Sequence, residues 1–202
     1  MKMKRYFPVA ITCLLLFSFI ADDYPLPKGW IKRGESPDSY LMGVVKGGGM
    51  DGKNAATLKA KDPEEESWAT LMQNIKPGKF AGHKIKFSGY IKTNEDAQWA
   101  VLWMRVDKPA EKCRLDNMMD RLVSADKDWT KCEVVMEVPR DAFNIAFGGM
   151  MGGPGQMWFC KLRFEIVPDS TPTTDEGKDV QGPKINPNIV LNTVPVNLDF
   201  SE

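Results

Sequence analysis

The stretch AQWAVLWMRVD, residues Ala97–Asp107, decides the fold, because its pattern is that of a strand with two different faces. Side chains alternate across a strand with a period of two. One face then carries a nearly apolar row suited to a dry core: Gln98, Ala100, Leu102, Met104 and Val106. The other carries a row that can stack and hydrogen-bond at once: Trp99, Val101, Trp103, Arg105 and Asp107. This second face is the leading candidate for a binding surface.

Further strands are predicted on both sides of this stretch. Six segments are rich in β-branched and aromatic residues and are separated by turn residues: Tyr40–Lys46, Asn54–Lys61, His83–Lys92, Thr130–Val138, Phe143–Met151 and Met157–Val167. Trp68–Ile75 (WATLMQNI) fits a strand or a helical turn equally well. In the last segment, Trp158, Leu162, Phe164 and Ile166 are expected to face inward. About eight short strands without an amphipathic helix predict an all-β fold, an antiparallel β-sandwich.

The chain divides into three parts. Residues 1–21 have the form of a signal peptide, since the basic MKMKR precedes an apolar run from Phe7 to Ala21. Phe19 departs from the small residue expected near a cleavage site after Ala21, so an uncleaved anchor stays open. Residues 22–167 form the predicted β-sandwich domain, and residues 168–202 a tail rich in Pro, Thr and Asn whose end is apolar enough to return as a strand. The expected location is extracytoplasmic, either periplasmic or secreted.

The cysteines are read for an oxidising compartment. Without Cys13, three remain, and two of them, Cys132 and Cys160, fall on the apolar sides of their strands as buried thiols would. Cys113 and Cys132 flank one excursion, and the sequence leaves a bridge between them and two free thiols equally open. No spacing typical of a sulfur-ligated metal is present, so no metal site is predicted.

Charge and catalytic motifs exclude several functions. Lys plus Arg equals Asp plus Glu, 27 each, which gives no basic excess for nucleic acid. His83 is the only histidine, and alternation places it at the inward end of its strand. The acidic cluster Asp62–Glu66 resembles a solvated loop rather than a catalytic carboxylate pair. We therefore expect no enzymatic activity and no catalytic residues.

A binding constellation is better supported. Trp99 and Trp103 are four residues apart, about 13 Å along a strand at 3.3 Å per residue. A sugar ring offers an apolar face to an aromatic side chain and hydroxyls to Arg, Asp and Asn. Covering roughly 100 Å² of indole would contribute about 2.5 kcal/mol, which after ordering costs suits weak binding. The predicted ligand-binding residues are Trp99, Trp103, Arg105, Asp107, Asp116, Asn117, Asp120 and Arg121.

A structural role for the same row is the competing hypothesis. A Trp row on a sheet is often covered by a loop or by the protein's own termini, and Arg105 with Asp107 or Asp116 would then be a simple ion pair beneath that cover. In that case the protein is a structural or adaptor domain of the cell envelope. A hydrolase on the same scaffold is a second alternative.

Residues Gly29–Val167 resemble a known family. The pattern of KIKFSGYIKT, WAVLWMRVD, LDNMMDR and DWTKCEVVMEVP is similar to a bacterial jelly-roll domain related to carbohydrate-binding modules, with the galactose-binding-like fold. WMRVD (103–107) and DNMMDR (116–121) carry the most specific part of the likeness. Such domains occur alone in secreted proteins or attached to AraC-type transcription regulators. The resemblance implies a non-catalytic jelly roll that binds carbohydrate or a similar polar ligand.

Two departures limit what the resemblance implies. The sequence shows no helix-turn-helix segment, and an exported chain does not meet DNA, so we expect no nucleic-acid partner and no stable membrane span after cleavage. Relatives have two aspartates of the kind that hold a structural Ca²⁺ where this chain has Cys160 and Lys161. The expectation is therefore no cofactor, with bound calcium disfavoured.

Overall fold

The computed structural model describes residues 24–184 and 191–202. The predicted signal peptide lies outside these residues. Eleven strands form in the described part, joined by three single-turn 3-10 helices at Pro37–Ser39, Met50–Gly52 and Gly78–Phe80. The strands are β1 (Ile31–Gly34), β2 (Tyr40–Val45), β3 (Ala55–Ala60), β4 (Trp68–Ile75), β5 (His83–Thr93), β6 (Trp99–Lys108), β7 (Lys112–Asp116), β8 (Thr130–Val138), β9 (Asn144–Gly152), β10 (Gln156–Val167) and β11 (Val180–Gln181). No described helix has the length and apolar character needed to cross a bilayer.

The strands form two antiparallel sheets packed face to face. One sheet has the order β1-β4-β9-β6-β7-β11 and the other the order β2-β3-β10-β5-β8. Except for the pairs β2-β3 and β6-β7, neighbours in each sheet are distant in sequence, as is usual in a jelly roll. The predicted all-β antiparallel sandwich is confirmed.

Strand β6 lies between β9 and β7 in the six-stranded sheet. Its inward row, Ala100, Leu102, Met104 and Val106, is completely buried. This row packs across the sandwich against β5 and β8, as the alternation of the stretch predicts. The opposite row of β6 therefore lies on the outer face of the six-stranded sheet.

Three short strands lie where the sequence indicated loops. β1 and β7 fall within segments rich in Pro, Gly or charge, and β11 falls within the tail. β1 pairs with β4, β7 pairs with β6, and β11 pairs with β7. Backbone pairing with a formed strand overrides the weak local preference of these segments.

Three residues that the sequence predicted to face inward are not buried. His83 is exposed at the first position of β5. In β10, a bulge at Lys161, whose φ is +52°, shifts the register between Cys160 and Arg163. One extra residue reverses the alternation, so Phe159 enters the core while Trp158 is only partly buried. Ile166 is exposed.

The C-terminal residues pack into the sandwich without forming a strand. Phe200 is buried to 1% exposure and contacts Trp30 and Phe159 at ring-centroid distances of 5.2 and 5.4 Å. Trp30 also meets Phe147 of the opposite sheet at 6.1 Å. The apolar end of the tail, for which the sequence left a returning strand open, instead forms an aromatic plug that joins both sheets.

The three described cysteines are free and buried. Cys113 lies on β7 of one sheet and Cys132 on β8 of the other, and no bridge joins them. The prediction that Cys132 and Cys160 are buried thiols is confirmed. Burial raises the pKa of the Cys132 thiol to about 12, with Arg121 acting in the opposite direction.

Phe200→Ala tests whether the tail is part of the folded unit. Truncating this buried ring removes its contacts with Trp30 and Phe159 and leaves a cavity, so we expect the free energy of unfolding to fall by about 3–5 kcal/mol. Denaturant unfolding followed by tryptophan fluorescence measures it. Val194→Ala, at an exposed position of the same tail, should change it by less than about 0.5 kcal/mol. Equal stability of both variants would show that the tail does not support the fold.

Alkylation tests the burial of Cys132. The ordinary thiol pKa is 9.0 and that of Cys132 is about 12, so at pH 9 about one Cys132 side chain in a thousand is ionised. Only the thiolate reacts, so we expect iodoacetamide to label native Cys132 at least about a hundredfold more slowly than the guanidinium-unfolded chain. Peptide mass spectrometry follows the labelling of this residue. Equal rates in the two states would contradict the buried position.

Candidate ligand-binding groove

A groove of about 870 Å³ lies over the outer face of the six-stranded sheet. Side chains from β1, β4, β9, β6 and β7 line it, and the segment after β11 forms part of its rim. Volumes of this size are typical of small-ligand sites. The Trp-bearing row of β6 therefore opens into a groove.

Small residues on the central strand β9 create the depression. Cross-strand register places Gly152 between Trp68 and Trp99, Gly148 between Met72 and Trp103, and Ala146 between Asn74 and Arg105. Directly opposed residues share one face of a sheet. Larger side chains on β4 and β6 thus stand on both sides of these three small residues, and the sheet surface is hollow above them. Asn144 and Met150 are the larger side chains that β9 contributes to the lining.

One end of the groove is aromatic. Trp68 begins β4, Trp99 begins β6, and both are paired with Gly152. A Cβ atom at Gly152 would overlap the Trp99 indole, so this ring lies directly over the glycine. Trp68 is 37% exposed, the most exposed aromatic ring of the lining. These two indoles are the surfaces on which a flat apolar ligand face can stack.

The floor of the groove is apolar and rigid. Trp103 is only 6% exposed and packs with Met72, Ala146 and Met150. Its indole N–H donates to Thr70 Oγ1 at 2.8 Å, and that hydroxyl donates to the Gly149 carbonyl at 2.8 Å. The ring is fixed by packing and by a satisfied hydrogen bond. Trp103 therefore shapes the floor, and the indoles accessible for stacking with a ligand are those of Trp68 and Trp99.

The other end of the groove is polar. Arg105 binds Asp107 through both oxygens, with Nε at 2.6 Å from Oδ1 and Nη2 at 3.1 Å from Oδ2. Asn144 Nδ2 donates to Asp107 Oδ2 at 2.7 Å and to Asn74 Oδ1 at 3.1 Å. Arg105 Nη1 makes no hydrogen bond to the part of the chain that the structure describes. This guanidinium edge remains available to a ligand.

The amide of Asn144 is incompletely satisfied. Both hydrogens of its Nδ2 are donated, whereas its buried Oδ1 has no hydrogen-bond partner among residues 24–184 and 191–202. A buried acceptor without a donor costs about 1–3 kcal/mol. Asn144 lines the groove, so this unsatisfied acceptor lies at the same end as Arg105 and Asp107.

The structure brings together five of the eight predicted site residues. Trp99, Trp103, Arg105, Asp107 and Asn117 line the groove. Whether they bind a ligand stays a prediction. Their shared position follows from the alternation of β6 and from the loop that follows β7.

The other three predicted residues do not line the groove. Asp116 is paired with Met104, an inward residue, so its side chain lies on the core side of the sheet edge. It accepts from Arg121 Nη2 at 2.7 Å and from Thr174 Oγ1 at 2.5 Å, and Asp120 pairs with Arg121 Nη1 at 2.7 Å. This cluster anchors the 117–123 loop to the tail. Alternation along β7 separates it from the groove.

Sequence reasoning missed the contributions of β4 and β9 to the site. The helix–strand ambiguity of WATLMQNI concealed that Trp68, Thr70, Met72 and Asn74 share one face of a strand. A strand assignment alone would have placed them together. Leu115, Phe143, Asn144, Met150, Ile31, Arg33 and Lys184 also line the groove, but their approach depends on pairing across the sheet.

Cys160 and Lys161 stand where relatives have two aspartates, and they make other contacts in this chain. Cys160 is buried, and the Lys161 ammonium pairs with Asp51 beside the β10 bulge. In the described part of the chain, no three His, Cys, Asp or Glu side chains are grouped so as to hold a metal ion.

Sequence comparison gives one curated relative. It is an uncharacterized HTH-type transcriptional regulator of Bacillus subtilis, 33% identical over 177 residues, which cover 87% of this chain and 57% of the regulator. The chain thus spans little more than half of its relative's length. No family model matches the sequence. The likeness agrees with the expected relation to domains attached to transcription regulators.

Structure comparison shows the fold. A xylan-binding domain from Paenibacillus barcinonensis has a TM-score of 0.54 and 12% identity over 72% of this chain and 90% of its own. The C-terminal family 22 carbohydrate-binding module of a Clostridium thermocellum xylanase has a TM-score of 0.52 and 12% identity, over 72% and 89%. A cyclase from Fischerella has a TM-score of 0.53 and 13% identity, over 74% and 88%. The chain therefore has the jelly-roll fold of carbohydrate-binding modules, a fold that also occurs in enzymes.

A double-mutant cycle tests the contact that shapes the aromatic end. Gly152→Ala places a methyl group against the Trp99 ring, so we expect a loss of about 1–3 kcal/mol in the free energy of unfolding. In a Trp99→Ala background the same substitution should cost much less, because the overlapping ring is absent. Denaturant unfolding of the four proteins gives the coupling. An equal cost in both backgrounds would place Trp99 away from Gly152.

Proposed function

We propose that this protein is a non-catalytic carbohydrate-binding module whose ligand lies in the groove. The observation that carries the proposal is an open groove lined by two accessible indoles at one end and by Arg105, Asp107 and Asn144 at the other. Sugars present apolar ring faces and hydroxyl groups together, which matches this division. The shared fold with carbohydrate-binding modules supports the same conclusion.

The chemistry of the lining favours binding over catalysis. Glycoside hydrolysis generally uses two carboxyl groups on either side of the scissile bond. Asp107 is the one carboxylate among the described residues that line the groove, and Arg105 and Asn144 already occupy its oxygens. A carboxylate tied in this way positions neighbouring groups better than it transfers protons.

We extend the proposal to an exported protein, on the signal-like sequence of residues 1–21.

A structural or adaptor domain is the competing function, and two observations favour it. Trp103 is nearly covered by its own sheet, and Arg105 is ion-paired with Asp107 as that hypothesis requires. These contacts concern the floor and one end of the groove. Trp68 and Trp99 stay accessible, so the two hypotheses differ in whether the aromatic end meets a ligand.

Tryptophan substitutions decide between them. We expect Trp68→Ala and Trp99→Ala each to weaken glycan binding about tenfold, since loss of a stacking face removes about 1–2 kcal/mol. A glycan array identifies the ligand, and calorimetric titration measures the affinity of each variant. Trp103→Ala should lower both affinity and stability, because it removes part of the floor.

Trp158→Ala is the matched control. This tryptophan is also partly buried, but it lies on β10 of the other sheet. Its substitution should leave glycan affinity unchanged. Glycan binding that survives the loss of Trp68 and Trp99 would place the site elsewhere, and the absence of any glycan binding would support the adaptor role.

A further inference from the structure

We propose that the groove selects an acidic glycan, one whose sugars carry carboxylates. This inference rests on the proposed carbohydrate-binding function and adds the charge of the ligand to it. It follows from a local surplus of cations in a chain without net charge.

The charged residues of the lining are unequal in sign. Arg33, Arg105 and Lys184 contribute three cations, and Asp107 is their one carboxylate counterpart within the described lining. The whole chain has 27 cationic and 27 acidic residues, so the surplus is a property of this surface. Such a surface favours an anionic partner.

Ion pairing within the lining leaves two cations over. Asp107 is neutralised by Arg105 through two hydrogen bonds. Neither Arg33 nor Lys184 has an ion-pair partner in the described ranges, and the one hydrogen bond from Arg33 runs from Nη1 to the Lys32 carbonyl at 2.9 Å. The remaining edge of the Arg33 guanidinium can meet a carboxylate in the planar geometry that arginine prefers.

The two cations lie at opposite edges of the groove. Arg33 belongs to β1 and Lys184 follows β11, and these are the two edge strands of the sheet. Five inter-strand spacings separate them, about 24 Å at 4.8 Å each. One sugar ring cannot reach both cations. An oligosaccharide with repeated acidic residues presents negative charge at both edges while its rings lie over the indoles.

The apolar lining strengthens this selection. Trp68, Leu115 and Met119 are exposed apolar side chains of the groove wall. A bound chain displaces water from between these walls, and charges interact more strongly where water is excluded. Carboxylates held at Arg33 and Lys184 thus contribute more binding free energy than they would on an open surface.

Paired ligands test the proposal. Oligomers of galacturonate, glucuronate and mannuronate are titrated calorimetrically beside their carboxyl-reduced, neutral forms. We expect at least one acidic oligomer to bind about tenfold or more tightly than its neutral form at low salt. This preference should shrink as ionic strength rises toward 1 M, where the screening length is about 3 Å.

Charge-removing variants assign the preference to the two cations. Arg33→Gln and Lys184→Gln should each reduce the acidic preference severalfold, and the double variant should bind acidic and neutral oligomers with equal affinity. Arg163→Gln is the control, since Arg163 is an exposed cation on β10 of the other sheet. It should keep the wild-type preference.

The outcomes separate the two proposals. Equal binding of acidic and neutral oligomers that depends on Trp99 overturns the acidic selection and keeps the carbohydrate site. An acidic preference that survives the double variant also overturns the assignment to Arg33 and Lys184. No binding of any oligomer, acidic or neutral, on these probes or on a glycan array overturns both.

Discussion

The outer face of this sandwich depends on the pairing of β9 between β4 and β6. Its inward residues Ile145, Phe147 and Met151 are completely buried in the core, so the strand cannot move without opening the sandwich. Its outward residues include Gly148, Gly152 and Ala146, which leave space above the strand. The Phe159 ring lies so close to Gly149 that a Cβ there would contact it, which holds β9 near the opposite sheet. One strand thus sets the core and hollows the surface above it.

The polar end of the groove follows from this placement. Asn144 at the start of β9 is held between Asn74 and Asp107, and Arg105 completes the group from the same strand as Asp107. Asp107 is nearly fully buried, and a buried charge is costly unless it is paired. The removal of Arg105 would leave that charge uncompensated, at a cost of about 3–5 kcal/mol. The ion pair therefore has a structural role, and the same contact fixes the free edge of Arg105 toward the groove. In the proposed site, a structural role and a binding role would coincide in this pair.

Alternation along single strands made most of the fold predictable, and pairing between strands explains what was not. The strands from His83, Thr130 and Met157 begin within one residue of their predicted starts, because their own residues specify them. β1 and β7 form only because β4 and β6 offer them backbone partners. The bulge at Lys161 reverses the inward face of β10, and no local sequence pattern indicates it.

For the site, the alternation of β6 correctly placed four residues together: Trp99, Trp103, Arg105 and Asp107. The sequence wrongly grouped with them three residues that follow soon after in the chain but lie on the other side of the sheet edge: Asp116, Asp120 and Arg121. It missed Trp68 and Asn144, because only the pairing of β4, β9 and β6 brings them to the groove.

The positions of the chain ends bear on whether the groove is covered by the protein itself. The N-terminal arm runs along β2 of the other sheet, where the Pro25 carbonyl accepts from the Val44 amide at 2.9 Å. The last residues are engaged by the aromatic plug at Phe200, within the sandwich. Both described ends are therefore used away from the indoles. Trp68, Leu115 and Met119 remain in contact with water. Exposed apolar surface that is grouped in a groove is characteristic of binding sites. Among the described residues nothing covers these side chains, and the proposed ligand would supply the free energy of covering them.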